Sequence, residues 1–263
     1  MSQRIPKRIT IYSMRFLVIT LASGLALSAA SLPSDNQLSA EEKAQGWELL
    51  FDGKTTNGWE GFMNTPVPKQ SWAVEDGAIR TLPDNSGGDM VTVEQFENFE
   101  LSFEWKLLEH GNSGVKYMVQ KDWAGPSFRP DWPESFKARA RLRATGLEYQ
   151  LLDDRTLNAN NPHSAYSGCA SLYLVVPPLN KPEVQLGEWN TSRIVIWGTH
   201  GEHWLNGKRV VSFELNSQEL LDQVQKTKFK NVPGFGIKGR GHIALTHHNS
   251  PAWFRSIKVR RLK

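Results

Sequence analysis

The chain has one cysteine, Cys169, in 263 residues. A lone thiol cannot close an internal disulfide, so the hydrophobic core alone must carry stability. A single cysteine and scattered histidines also exclude a structural zinc site of the usual ligand set. No glycine-rich phosphate loop, G-x-S-x-G or H-E-x-x-H occurs. No apolar run reaches the roughly 20 residues of a spanning helix; the longest, "FLVITLASGLALSAA", ends after Phe16 to Ala30. Excess charge is missing too, once the first thirty residues are set aside. The whole chain carries 31 Lys and Arg against 27 Asp and Glu, but four of the basic residues are Arg4, Lys7, Arg8 and Arg15. Without them the counts are equal. Nucleic acid requires surplus positive charge, so it is excluded as a partner. The local run "KARARLR" (Lys137 to Arg143) reads as a solvated loop.

What is present begins with a basic head, a short apolar core and Ser28-x-Ala30. That order is a secretory signal over residues 1–30. It predicts an exported chain, periplasmic or extracellular, with no stable membrane span after cleavage. A retained anchor is the alternative; no cysteine follows the run to accept a lipid. Residues 31–45 read as a polar lead-in with one helical turn, and 46–263 as a single domain.

Within that domain, period-two alternation dominates. "FELSFEWKLL" sets Phe99, Leu101, Phe103, Trp105 and Leu107 on one face. "SGVKYMV" does the same with Val115, Tyr117 and Val119, and turn dipeptides such as Asp76-Gly77 and Asn206-Gly207 separate the strands. Only Ser217 to Phe229 looks helical, with a Ser cap. Many short strands and little helix predict an all-β sandwich or barrel. One long stretch, Lys121 to Thr145, lacks any pattern and is expected to form a rim or lid over a site.

The strands flanking that stretch carry unusual polar residues. In "GLEYQLLDD", Leu147, Tyr149 and Leu151 share one face, while Glu148 and Gln150 share the other. If this strand pairs with "SGVKYMV", Lys116 falls beside Glu148. A carboxylate beside an ammonium can serve as a base; the plainer alternative is a surface ion pair of little worth. In "GHIALTHHNS", His242, Ala244, Thr246 and His248 share a face, with His247 opposite. "HGEH" is expected at a turn, with His200 and His203 exposed.

These segments, in the order "LFDGKTTNGW", "WAVEDGAI", "GGDMVT", "FELSFEWKL", "GNSGVKYMV", "GLEYQLLDD", "ASLY", "GEWNTSRIVIWGTHGEHWLNGKRVV" and "GHIALTHHNSPAWFRSIKVRRL", resemble the 3-keto-disaccharide hydrolase family. That family is also described as 3-keto-glucoside 1,2-lyase and 3-keto-2-hydroxy-glucal hydratase domains. The resemblance runs from about Gly46 to Lys263 and implies a concanavalin A-like jelly roll of two antiparallel sheets. It implies an oxidised glycoside or oligosaccharide as substrate. A ketone at C3 acidifies the C2 proton; a base removes it, an enolate forms, and the C1 substituent leaves. Water can then add, for net hydrolysis. By motif matching Glu148 is the base, Lys116 stabilises the enolate and His248 completes the catalytic set. Asn112, Gln150, Asp153, Asp154 and Tyr173 are the implied substrate-binding residues. Asp153 or Asp154 is also the implied place for a divalent metal, with no cofactor certain.

The sequence departs from the family near its end. Relatives usually read L-Q-D-H-G where this chain has "LTHHN", so that Thr246, His247 and Asn249 differ and His248 is retained. Leu174 stands where relatives often carry Asp. A non-catalytic carbohydrate-binding domain on the same fold is the alternative, with Trp123, Trp132 and Trp204 as candidate stacking rings. A laminarinase-type glycosidase needs E-x-D-x-x-E, which is absent.

Overall fold

The computed structural model describes residues 35–83, 88–122 and 133–263. The expected signal peptide, Trp123 and Trp132 lie outside these residues. Among the described residues no helix is long and apolar enough to cross a membrane.

The lead-in forms one short helix, α1 (Ala40–Ala44), closed by a reciprocal capping box between Ser39 and Glu42. Strands β1 (Trp47–Leu49), β2 (Trp59–Gly61), β3 (Trp72–Glu75) and β4 (Ala78–Thr81) follow. Next come β5 (Met90–Phe96), β6 (Phe99–Leu107) and β7 (Asn112–Val119), then α2 (Glu134–Arg141) and β8 (Leu147–Leu152). The chain continues through β9 (Asn190–Trp197), β10 (His200–Leu205) and β11 (Lys208–Glu214). It ends with α3 (Gln218–Gln225), β12 (Gly241–Leu245) and β13 (Ala252–Arg261).

The strands make the expected sandwich of two antiparallel sheets. One runs β11-β10-β9-β6-β13-β4-β3, with β1 also on β13; the other runs β2-β5-β12-β7-β8. Asp76-Gly77 and Asn206-Gly207 close their hairpins with all four residues at positive φ, as a two-residue turn demands. The inner faces supply one core. All five residues of the β6 alternation are buried, each contributing roughly 1.5–3 kcal/mol of transfer free energy.

Polar pegs cross this core. The Tyr117 hydroxyl on β7 meets His203 Nε2 on β10 at 2.8 Å, and His203 Nδ1 lies 3.0 Å from the Ala170 carbonyl. A carbonyl only accepts, so Nδ1 carries the proton and Nε2 accepts from the tyrosine. The Tyr149 hydroxyl on β8 donates to the Trp204 carbonyl and accepts from Ser192, which accepts from Trp105 Nε1. Tyr117 and Tyr149 are the chain neighbours of Lys116 and Glu148. The two strands bearing the candidate site are thus fixed to the opposite sheet beside those side chains.

Several expectations need correction. His203 is not exposed at a turn: β10 begins at His200, the alternation points His203 inward, and it is fully buried. Trp204, a candidate stacking ring for sugars, is instead covered by the Arg193 guanidinium at 3.9 Å. Val119 does not share a face with Val115 and Tyr117. Met118 has a φ of 53° and joins the main core, while Val119 packs with Phe62, Val91, Ala144 and Ala244. Helix α2 occupies part of the stretch expected to be irregular, and takes in the first five residues of the "KARARLR" run.

Candidate active site

All six residues of β8 and all but the first of β7 are buried. One face of each strand meets the core, so the other must be covered too. Its cover comes from the Ala140–Gly146 segment, from Tyr173, from Lys228 and Phe229 beyond α3, and from His248 beyond β12. Between cover and sheet lies a cleft of about 280 Å³.

The expected pairing of β7 with β8 exists, and its register sets Lys116 directly across from Glu148. Gly114 pairs with Gln150 two residues along. A Cβ on Gly114 would lie 2.3 Å from Glu148 Oε1 and 2.9 Å from Thr246 Oγ1, so a glycine is required to seat the carboxylate. Glu148 is 6% exposed, and its Oε1 is buried with no hydrogen-bond partner. Thr145 Oγ1, also on the cleft wall, is likewise unpartnered. Native interiors rarely leave such atoms unsatisfied. Burial raises the Glu148 pKa, with Asp89 adding to it, against the opposing pull of Lys116 and Lys228.

Lys116 is 8% exposed and donates to Asp89 Oδ2 at 3.0 Å and to the Ala144 carbonyl at 2.9 Å. An ammonium has three N–H bonds, which leaves one for the cleft. Asp89, fully buried, also accepts from the Ala144 and His247 amides, at 2.9 and 3.1 Å, and pairs with Arg143 at 3.5 Å. Its burial opposes ionisation, but Lys116, Arg143 and the His247 amide outweigh that and hold its pKa below the usual carboxylate range.

Six of the eight residues expected in the site line this cleft: Asn112, Lys116, Glu148, Gln150, Tyr173 and His248. Gln150 donates to Asn112 at 3.1 Å, which orders both amides. Loss of solvent, then the cations Lys116, Arg143 and Lys228, push the His248 pKa down. Although protein surrounds much of its ring, the side chain stays exposed at the mouth, so repulsion by the cations is the cause that persists in a wet cleft. The ring is neutral at physiological pH.

Asp153 and Asp154 do not join them. Asp153 accepts from the Arg155 guanidinium at 2.9 Å and from the His110 amide at 2.8 Å, which hold its pKa far below the usual range. Asp154 accepts from the Cys169 amide and pairs with Lys181. Both carboxylates are committed to ordering the turn after β8, which also removes the implied metal ligands. Among the described residues no cluster of three or more His, Cys, Asp or Glu could hold a metal ion. Cys169 is buried and inert, its thiol pushed up to about 12 by burial.

Sequence reasoning missed Asp89, Arg143, Thr145 and Lys228. "GGDMVT" contains Asp89 but gives no local sign of its partners. Lys228 follows α3 in a polar tail that reads as a solvated helix end.

Residues 46–260 match the sequence profile of the 3-keto-alpha-glucoside-1,2-lyase-like domain. The chain belongs to this family. The 3-keto-disaccharide hydrolase of Bacteroides thetaiotaomicron is 31% identical over 267 residues, 93% of this chain and 87% of that protein. A crystal structure from Parabacteroides distasonis, of a protein proposed to be a glycosyl hydrolase, superposes with a TM-score of 0.71 at 32% identity. It covers 88% of this chain and 100% of the other. A second protein from that organism, at 24% identity and a TM-score of 0.57 over 82% and 99% of the two chains, shares the fold.

Two of the positions expected to depart from the family pattern border the site. Thr246 donates to the Gly114 carbonyl and borders the Glu148 carboxylate. His247 turns its ring away, edge-on to Trp72 with its Nε2 on the Leu82 carbonyl, while its amide serves Asp89. The departure at Leu174 puts a branched side chain at a φ of 65°, where its amide donates to Tyr166.

Proposed function

We propose that this chain is an exported enzyme that cleaves 3-keto-glycosides by removing the C2 proton and expelling the C1 substituent. Hydration of the resulting glucal gives net hydrolysis. The observation that carries this is Glu148: a buried carboxylate of raised basicity, with one oxygen unpartnered, facing a cleft rich in cations. A base must present a lone pair that the protein has not already used. The developing enolate needs preorganised positive charge and donors, and the remaining N–H of Lys116, backed by Arg143, suits that oxygen. Asn112 and Gln150 bind sugar hydroxyls, Tyr173 offers a ring wall, and neutral His248 donates or accepts at the cleft mouth. Similarity to the Bacteroides hydrolase supports a glycoside substrate, and residues 1–30 support export.

The test is incubation with 4-nitrophenyl 3-keto-glucoside in D₂O. Release of nitrophenol and deuterium at C2 are the expected signals, with Glu148→Gln reducing both by about 10²- to 10⁴-fold. Sugar binding without release, unaffected by Glu148→Gln, supports instead a carbohydrate-binding domain.

A further inference from the structure

One cation in the cleft has no task in the chemistry above. Lys228 lines the cleft from the segment after α3. Its Nζ lies 5.0 Å from the Tyr173 ring centroid and 5.3 Å from that of Phe229. Among the described residues it makes no ion pair. In this it differs from Lys116, whose charge is matched by Asp89.

The two lysines reach the cleft from elements on opposite edges of β8. Lys116 stands on β7, across one edge of β8. Tyr173, which Lys228 overlies, runs along the other edge, its amide donating to the Glu148 carbonyl. A 3-keto-glycoside has the same order. C2, which loses the proton, lies between C3, whose oxygen becomes an enolate, and C1, whose oxygen departs. An elimination needs stabilisation at both oxygens, on either side of the base.

We infer that Lys228 is the general acid for the departing C1 oxygen, and that it extends cleavage to poor leaving groups such as alkyl and sugar alkoxides. The inference rests on the elimination chemistry proposed above. Glu148 takes the C2 proton, and the C–H pair forms the C2–C3 enolate. The enolate collapses to the C3 ketone, its carbon pair forms the C1–C2 double bond, and the C1–O pair leaves on oxygen. That oxygen takes a proton from the Lys228 ammonium. The products are an alcohol and a 2-hydroxy-3-keto-glucal, with no net oxidation. Lys228 keeps an exposed side at the cleft mouth, so its amine regains a proton from water while Glu148 returns the C2 proton to solvent. Lost solvation and the nearby Lys116 ease proton release by lowering the Lys228 pKa, against the opposing charge of Glu148.

The experiment compares wild type, Lys228→Met and Lys228→Arg on 3-keto-glucosides with 4-nitrophenol, phenol, methanol and glucose as leaving groups. Deuterium exchange at C2 is followed in parallel. For Lys228→Met, 4-nitrophenol release should fall least of the four, since that anion departs without a proton. Methanol and glucose release should fall by about 10²- to 10⁴-fold, with C2 exchange retained. Lys228→Arg should fail in the same graded way, because arginine keeps the charge but holds its proton. An equal loss across all leaving groups overturns the assignment, as does wild-type methanol release by Lys228→Arg, which would show that charge alone suffices. Absence of C2 exchange in wild type overturns the base chemistry itself and this inference with it.

Discussion

Lowering the pH should cut one of the pegs between the two sheets. His203 is fully buried, and burial pushes its pKa down to about 4 despite its hydrogen bond to Ala170. Unfolded, the same ring titrates near 6.5. Between these values the unfolded chain binds a proton that the native protein refuses. Stability is therefore complete above about pH 6.5 and is lost as pH falls toward 4. At pH 5 the loss relative to pH 7 is about 2 kcal/mol, at 1.36 kcal/mol per pKa unit. In a domain of this size that lowers the melting temperature by roughly 4–8 °C.

Other groups titrate in the same window, so the measurement must isolate His203. His242 and His248 also lose native stabilisation on acidification, whereas His200, with its pKa raised by Glu214, gains it. Comparing wild type with His203→Gln removes these shared contributions. Glutamine retains a donor and an acceptor but does not titrate. The variant has a lower melting temperature at pH 7, from imperfect replacement of the bonds to Tyr117 and Ala170, but its acid slope should be shallower. Calorimetry of both proteins from pH 7 to pH 4.5 reads the difference. Parallel curves, agreeing in slope to within about 1 °C over that range, would refute a neutral, buried His203.

Two further perturbations address the cleft. Gly114→Ala drives a methyl group to 2.3 Å from Glu148 Oε1; displacing the carboxylate by about 1 Å should cost about 10²-fold in C2 exchange, while overpacking lowers the melting temperature by roughly 2–10 °C. An active Gly114→Ala enzyme would show that the carboxylate position is not critical. Asp89→Asn strips the buried partner from Lys116, at about 3–5 kcal/mol or roughly 6–20 °C by calorimetry. Since Asp89 raises the Glu148 pKa, the acid limb of the kcat/KM profile should also move to lower pH in this variant, and an unmoved limb would count against coupling between the two carboxylates.

The inner faces of both sheets were legible because alternation is local: Phe99 to Leu107 and Leu147 to Leu151 need no distant information to declare which face is apolar and meets the core. The β7–β8 pairing was readable only as a condition, that two strands with polar faces would set Lys116 beside Glu148 if they paired, and the structure supplies the register. Helix α2 was not. "ESFKARAR" has no apolar stripe, and such a helix is indistinguishable in sequence from a solvated loop. His203 was misread because "GTHGEH" is rich in turn residues, although only Gly198 and Thr199 make the turn. Gly201, taken as part of that turn, instead makes room for the Phe213 ring, which a Cβ would meet at 2.1 Å.

Asp89 was the hardest to see, because its meaning lies entirely in tertiary partners, 27 positions from Lys116 and 158 from His247. Its location nonetheless follows from what the base requires. A bare ammonium opposite Glu148 would favour the carboxylate so strongly that it would become a weak base. A fully dry, unaccompanied carboxylate would stay protonated and be no base at all. Asp89 sets the balance between these failures. It matches the Lys116 charge, and its own charge raises the Glu148 pKa while that of Lys116 lowers it. Lys116 still keeps one N–H toward the cleft for an oxygen that turns negative only during reaction. An ion pair that adds little to folding is therefore well suited to hold a base and an enolate donor side by side.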